Sequence, residues 1–236
     1  MAAWFLGEIG PDEVVDAVTQ DDAPHLVSGL GLDVVPLRDV LAVWRREAAS
    51  VRLVLPVPGD VRGVPGPAEF RSAAIDAGEA VCGGNLGIVP EVTEYYPSSA
   101  PPSVVWEAFV VDPVPTDHVA LADVQYELTT AIRDAATALT AADVAGGAAD
   151  IADALHDARR AGEKLNLPPN FPSRAVALLA QAERMQAVLE LAADDPAGGA
   201  VDRFGMSARD SALRPLAMAV RRARLAGYNA GSEVRS

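Results

Sequence analysis

Several residue types are scarce in this sequence, and each shortage closes off a class of function. The single cysteine, Cys82, excludes an intramolecular disulfide and any metal site made from several thiolates. Lys164 is the only lysine, set against 18 arginines, and asparagine occurs at four positions. With abundant Ala, Val, Gly and Asp, this is the codon bias of a high-GC bacterial genome, so an arginine here carries less functional information than usual. No apolar run approaches the ~18 residues that would span a bilayer. Residues Met1–Glu8 lack the basic start and apolar core of a secretory signal. The chain is therefore expected in the cytoplasm, away from membranes. Basic charge is short as well: the formal net charge is −14. Residues 1–115 hold 17 acidic and 6 basic side chains, and residues 116–236 hold 16 and 13. A negative field repels phosphate backbones, which makes nucleic acid an unexpected partner.

Half of the residues are hydrophobic and 22% are charged, an ordinary globular composition in a chain long enough to bury a core. The strongest pattern lies between Thr116 and Ala142. Leu121, Val124, Leu128, Ile132, Ala135 and Leu139 recur at steps of three and four, the period of a helix burying one stripe. Thr116, behind Pro115, is its expected cap. Further helices are predicted over Ala148–Leu165, Arg174–Ala193 and from about Ser207 to Gly227. Asp210 would complete a capping box with Ser207, and Pro215 would kink the last helix or delay its start. Asn166–Ser173 holds three prolines and must be a turn.

The front half mixes periods. Ala2–Leu6 reads as a short strand, and Pro11–Thr19 as a helix opened by Pro11, Asp12 and Glu13. Leu26–Val27 and Val34–Val35 are strand fragments, and Leu37–Ala49 is a second helix. Val51–Val57 is a strand, followed by a Gly/Pro-rich loop and a helix from Pro67 to Ala77. Glu79–Cys82 and Leu86–Tyr95 form a hairpin around Gly83-Gly84-Asn85, and Val104–Val111 is a last strand. The predicted fold is α+β: a small mixed or antiparallel sheet domain with helices over 1–115, hinged at Pro113–Asp117. An Ala-rich up-and-down bundle of three to four helices follows over 116–228, with a disordered tail over 229–236.

Candidate sites are sparse. Backbone amides at the start of the Pro67 helix, with Gly59, Arg62 and Gly63 in the loop before it, would suit an anion. The loop lacks the Lys-Ser/Thr of a P-loop and the glycine spacing of a dinucleotide fingerprint, and Asp60 opposes a phosphate; a proline-stiffened connector explains it too. Cys82 beside the Gly83-Gly84-Asn85 turn would serve as a nucleophile with His25 or His118 as base, or simply as a small buried hydrophobe. Glu91, Glu94 and Glu107 are strand carboxylates that would pair for acid–base work or decorate a solvated face. Asp153, His156 and Asp157 share a predicted helix face with Asp150. They make a partial metal site that Asp134 would complete, though the later helices offer only Glu183 and Glu190; a wet acidic face is the simpler reading. Arg203, Arg209, Arg214, Arg221, Arg222 and Arg224 stand against Asp210 alone, a local +5. Near a helix C-terminus such charges favour the dipole, and they would equally dock an acidic partner, including the acidic front half of another copy.

With no paired catalytic constellation and no cofactor motif, the sequence points to a non-catalytic protein that binds no cofactor. Its bundle would mediate self-association or partner binding, with Arg214, Arg221, Arg222 and Arg224 as the contact residues. The alternative is a small-molecule sensor or enzyme. Its site would lie between the Gly59–Gly66 loop, the Cys82–Leu86 turn and the bundle, with Gly59, Arg62, Gly63, Cys82 and Asn85 as ligand contacts.

Overall fold

Short runs of β-branched residues separated by amphipathic helical turns fold into a sheet clad on both faces. Residues 2–20, 24–31, 33–93, 103–113, 119–141, 165–168, 170–194 and 203–231 are described by the computed structural model. The chain divides into two compact units, Met1–Asp117 and His118–Gly231. Among the described residues it is α+β, with a six-stranded mixed sheet and seven helices.

In the first unit the order of elements is α1 (Ala2–Phe5), α2 (Pro11–Thr19), β1 (Leu26–Ser28), β2 (Val35–Pro36), α3 (Leu37–Arg46) and β3 (Val51–Val54). Then come α4 (Ala68–Ala77), β4 (Ala80–Gly83), β5 (Leu86–Thr93) and β6 (Ser103–Val110). The strand order is β2-β1-β6-β5-β4-β3. β1 runs parallel to β6, and the other pairs are antiparallel. The two-residue periodicity of each strand divides its side chains between two cores. Val27, Ile88 and Ala108 face α1, α2 and α3, meeting Trp4, Val14, Val40, Leu41 and Trp44. Ala80, Cys82 and Val89 face α4, meeting Phe70 and Ala74.

Local chemistry sets the boundaries. The N–H of Gly10 donates to Glu13 Oε2 at 2.6 Å and caps α2. Gly78 ends α4 at φ +77°, a left-handed cap that suits glycine. The hairpin between β4 and β5 turns at Gly84–Asn85, as its Gly-Gly-Asn sequence implies. The Ala2–Leu6 strand is corrected to a helix. Its carbonyls accept the turn-closing bonds from Gly7 and Glu8, and Trp4 is buried in the first core. Five residues are too few for either period to declare itself. β3 stops at Val54 because prolines at 56 and 58 cannot sustain a ladder; Val57 instead bridges to Asp60.

Among its described residues the second unit holds α5 (Leu121–Ala141), α6 (Ser173–Asp194) and α7 (Arg203–Ala230). They share one core of Val124, Leu128, Ala135, Leu178, Ala182, Leu216, Ala219, Val220 and Ala223, joined by Leu121 and Ile132. α7 lies along both α5 and α6, which meet each other least. Leu165–Pro168 and Asn170–Pro172 are non-helical, with Phe171 N–H bonded to the Pro168 carbonyl. The expected cap at Thr116 and the helix over Ala148–Leu165, apart from Leu165 itself, lie outside the described residues. Two boundaries of α7 are corrected. It begins before Ser207 and passes through Pro215, so Ser207 lies within the helix and does not cap it. It also passes through Gly227, because that glycine is a packing notch. A Cβ there would sit 2.6 Å from Leu179 Cδ2, so the missing side chain admits α6 where a helix stop was expected. Asn229 and Ala230, placed in the disordered tail by the sequence, are helical. None of the described helices is long and apolar enough to cross a membrane.

Candidate functional site

The sequence nominated residues of the first unit for ligand binding; of these Cys82 is buried, while Gly59, Arg62, Gly63 and Asn85 are exposed. Gly59 and Gly63 adopt φ of +87° and +77°, backbone that glycine reaches at least cost. Between them Arg62 donates from Nε and Nη2 to the two carboxylate oxygens of Asp60 at 2.9 and 2.8 Å. A bidentate pair of this kind neutralises the cation that an anion would need. At the start of α4, Arg71 Nε donates to the Pro65 carbonyl at 3.2 Å. A Cβ on Gly66 would lie 2.6 Å from Asp112 Oδ2, so a carboxylate of the chain itself already stands there. Successive amides after β6 gather the neighbouring segments: Val111 N–H donates to the Asn85 carbonyl and Asp112 N–H to that of Gly66. The end of the glycine loop and the β4–β5 turn are thus brought together by backbone, with Arg62 turned to Asp60.

Cys82 is fully buried under Phe70 and Ala74. Burial pushes its thiol up to about 12, so the thiolate a nucleophile requires is suppressed. His25 is the one buried polar side chain among the described residues. Its Nδ1 accepts from Trp106 Nε1 at 3.2 Å, which assigns that nitrogen as the unprotonated one. His118 and Glu94 lie outside the described residues. Glu91 and Glu107 do share a face: Glu107 is registered with Val89 and Glu91 with Val105, which makes the two carboxylates diagonal neighbours. Both are exposed. Asp150, Asp153, His156 and Asp157 also lie outside the described residues. Among those described, no group of three or more His, Cys, Asp or Glu is placed to hold a metal ion.

In the second unit the arginines are drawn into the helix contacts. Arg222 Nη1 donates to Glu127 Oε2 at 2.9 Å, joining α7 to α5. Glu183 Oε1 accepts from both Arg224 Nε and the Tyr228 hydroxyl at 2.9 Å, joining α7 to α6. Desolvation, followed by the charge of Glu183, raises the tyrosine pKa. Arg214 is exposed. These acceptors were illegible beforehand, because Glu127 and Glu183 stand 95 and 41 residues away from their partners.

The same helices frame a groove of about 500 Å³ between α5 and α7. Ala131, Ala135 and Ala219 line it, with Tyr126, Asp134, Pro215, Met218 and the Glu127–Arg222 pair. Tyr126 is 74% exposed and Met218 39%. The sequence did not single out these two, though both lie off the buried stripes of their helices, where an exposed apolar residue has no core to serve.

Family comparisons divide the chain at the start of α5. Residues 1–121 match the Rv1486c-like protein N-terminal domain, and residues 122–225 the Rv1486c-like protein C-terminal domain. The chain belongs to the Rv1486c-like family. Relatives in it are uncharacterised proteins of Mycobacterium. Uncharacterized protein Rv1486c of Mycobacterium tuberculosis is 30% identical over 270 residues, spanning 97% of this chain and 93% of that protein. Uncharacterized protein ML1804 of Mycobacterium leprae is 28% identical over 277 residues, again spanning 97% and 93%. Uncharacterized protein MAV321 of Mycobacterium avium is 28% identical over 221 residues, spanning 79% and 72%. The similarity to the first two runs through both units. No solved structure matches the chain.

Proposed function

We propose that this member of the Rv1486c-like family is a non-catalytic assembly protein whose helical unit associates with another copy of itself or with a protein partner. The observation that carries the reading is the α5–α7 groove, an alanine-floored channel with Tyr126 and Met218 exposed in its lining. Exposed aromatic and methionine side chains beside a concave apolar surface are the usual anchors of association. The first unit supports the reading from the other side, since its one thiol is buried and its loop arginine is neutralised.

The helical unit is proposed to be an up-and-down bundle. Supporting it, α7 lies along both α5 and α6, and α5 and α6 are joined by Gln125 Nε2 donating to Gln181 Oε1 at 2.6 Å. Arg214, exposed on α7, and Arg221, Arg222 and Arg224 nearby are the proposed partner contacts, where charge would steer approach. Sedimentation equilibrium on the full chain over a range of concentrations is the test. Reversible self-association, or a stable multimer, supports the reading; a strict monomer at micromolar concentration removes its self-association arm.

A further inference from the structure

We infer that the α5–α7 groove is a two-fold docking surface for a second copy of this chain, in which Arg222 of each copy meets Asp134 of the other. The inference rests on the proposed self-association and assigns its surface. Two groups lining the groove are incompletely used. Arg222 carries five N–H donors. Its Nη1 is paired with Glu127, and 36% of its side chain remains open. Asp134 is exposed with no ion pair or hydrogen bond to a described residue. The Glu127–Arg222 pair fixes where Arg222 sits along α5, and Asp134 follows Glu127 by seven residues, or about 10 Å of helix. A two-fold axis midway between those levels, crossing the groove near Thr130 and Met218, sets Arg222 of one copy against Asp134 of the other, twice over. Such an interface is self-complementary, as a closed dimer requires. Ala131, Ala135 and Ala219 allow close helix approach there, and the exposed faces of Met218 and Tyr126 supply the apolar area. An unrelated partner would have to bring both charges at the right spacing, which a second copy holds already.

The test is sedimentation equilibrium of the full chain and three variants, with far-UV circular dichroism and melting as a check on folding. Asp134→Arg puts like charges at both contacts and is expected to raise the dissociation constant at least about tenfold. Met218→Glu puts a carboxylate into the apolar centre and is expected to give a monomer, while Asp134→Glu retains the dimer. All three are expected to keep wild-type helicity. A dimer indifferent to Asp134→Arg and Met218→Glu overturns the groove assignment while leaving self-association standing. A monomeric wild type overturns both. If Met218→Glu then also lowers the melting temperature, the groove is covered by the chain's own residues; if it does not, the groove is empty or belongs to a different protein.

Discussion

A buried thiol and a crowded glycine show how single residues are conscripted by packing. The Cys82 thiol titrates near 9.0 when unperturbed and at about 12 in the fold, because burial penalises the thiolate. Between those values the unfolded chain has released a proton that the native chain still holds. Unfolding therefore becomes easier as pH rises through that window, whereas below it the thiol makes no difference. Urea unfolding followed from pH 8 upward is expected to show stability falling across this range, with a shallower fall in Cys82→Ala. Tyr228, shifted in the same direction, adds to the slope, so Tyr228→Phe removes a further part. Gly87 gives a second check. A Cβ there would sit 2.6 Å from Phe70 Cε2 and 2.8 Å from Val111 Cγ1, so Gly87→Ala is expected to cost about 1–3 kcal/mol through overpacking, read as a lower urea midpoint. Little of this was legible in the sequence. A cysteine next to two glycines looks the same whether it is a nucleophile or a core residue, and the distinction is made by Phe70 on a helix read separately from it.

Elements fared better where they were long. The stripe from Leu121 to Ala135 reads directly as the buried face of α5, because about four turns of one period leave no competing register. Ala2–Leu6 reads as a strand but Ala2–Phe5 is helical, because a single helical turn and a short strand carry the same residues. Contacts between helices were not legible at all, since complementarity between Glu183 on α6 and both Arg224 and Tyr228 on α7 depends on how the helices pack. That arrangement has a measurable consequence. Glu183 is largely buried, its side chain 16% exposed against 27% for Arg224. Glu183→Ala strands two donors and is expected to cost about 2–3 kcal/mol, after discounting for the partial exposure of the pair. Tyr228→Phe removes one bond and is expected to cost about 1 kcal/mol. Thermal melts of both variants and of the double variant check this. If Glu183 is the shared acceptor, the hydroxyl has nothing left to lose once the carboxylate is gone, so the two losses are expected to be less than additive.

For the whole molecule the question is whether two compact units unfold as two. Both family matches break at the first turn of α5, and each unit owns a core that shares no residue with the other's. The chain also contains its own reporters. All three tryptophans, Trp4, Trp44 and Trp106, fall before residue 118, whereas the three longest helices fall after it. Tryptophan fluorescence therefore follows the sheet unit, and far-UV circular dichroism is weighted toward the helical one. Leu178 is essentially inaccessible in the shared helical core, and Leu178→Ala is expected to cost about 2–5 kcal/mol there. With separable units, this substitution lowers the midpoint of the dichroism transition and leaves the fluorescence midpoint where it was. Coincident probes that shift together would mean that the two cores unfold as one cooperative system, and a cut between residues 117 and 118 would then be expected to yield two fragments that do not fold alone. The proposed self-association through α5 and α7 adds a further signature to the same experiment. It stabilises only the native helical unit by mass action, so raising the protein concentration is expected to raise the dichroism midpoint while fluorescence stays put.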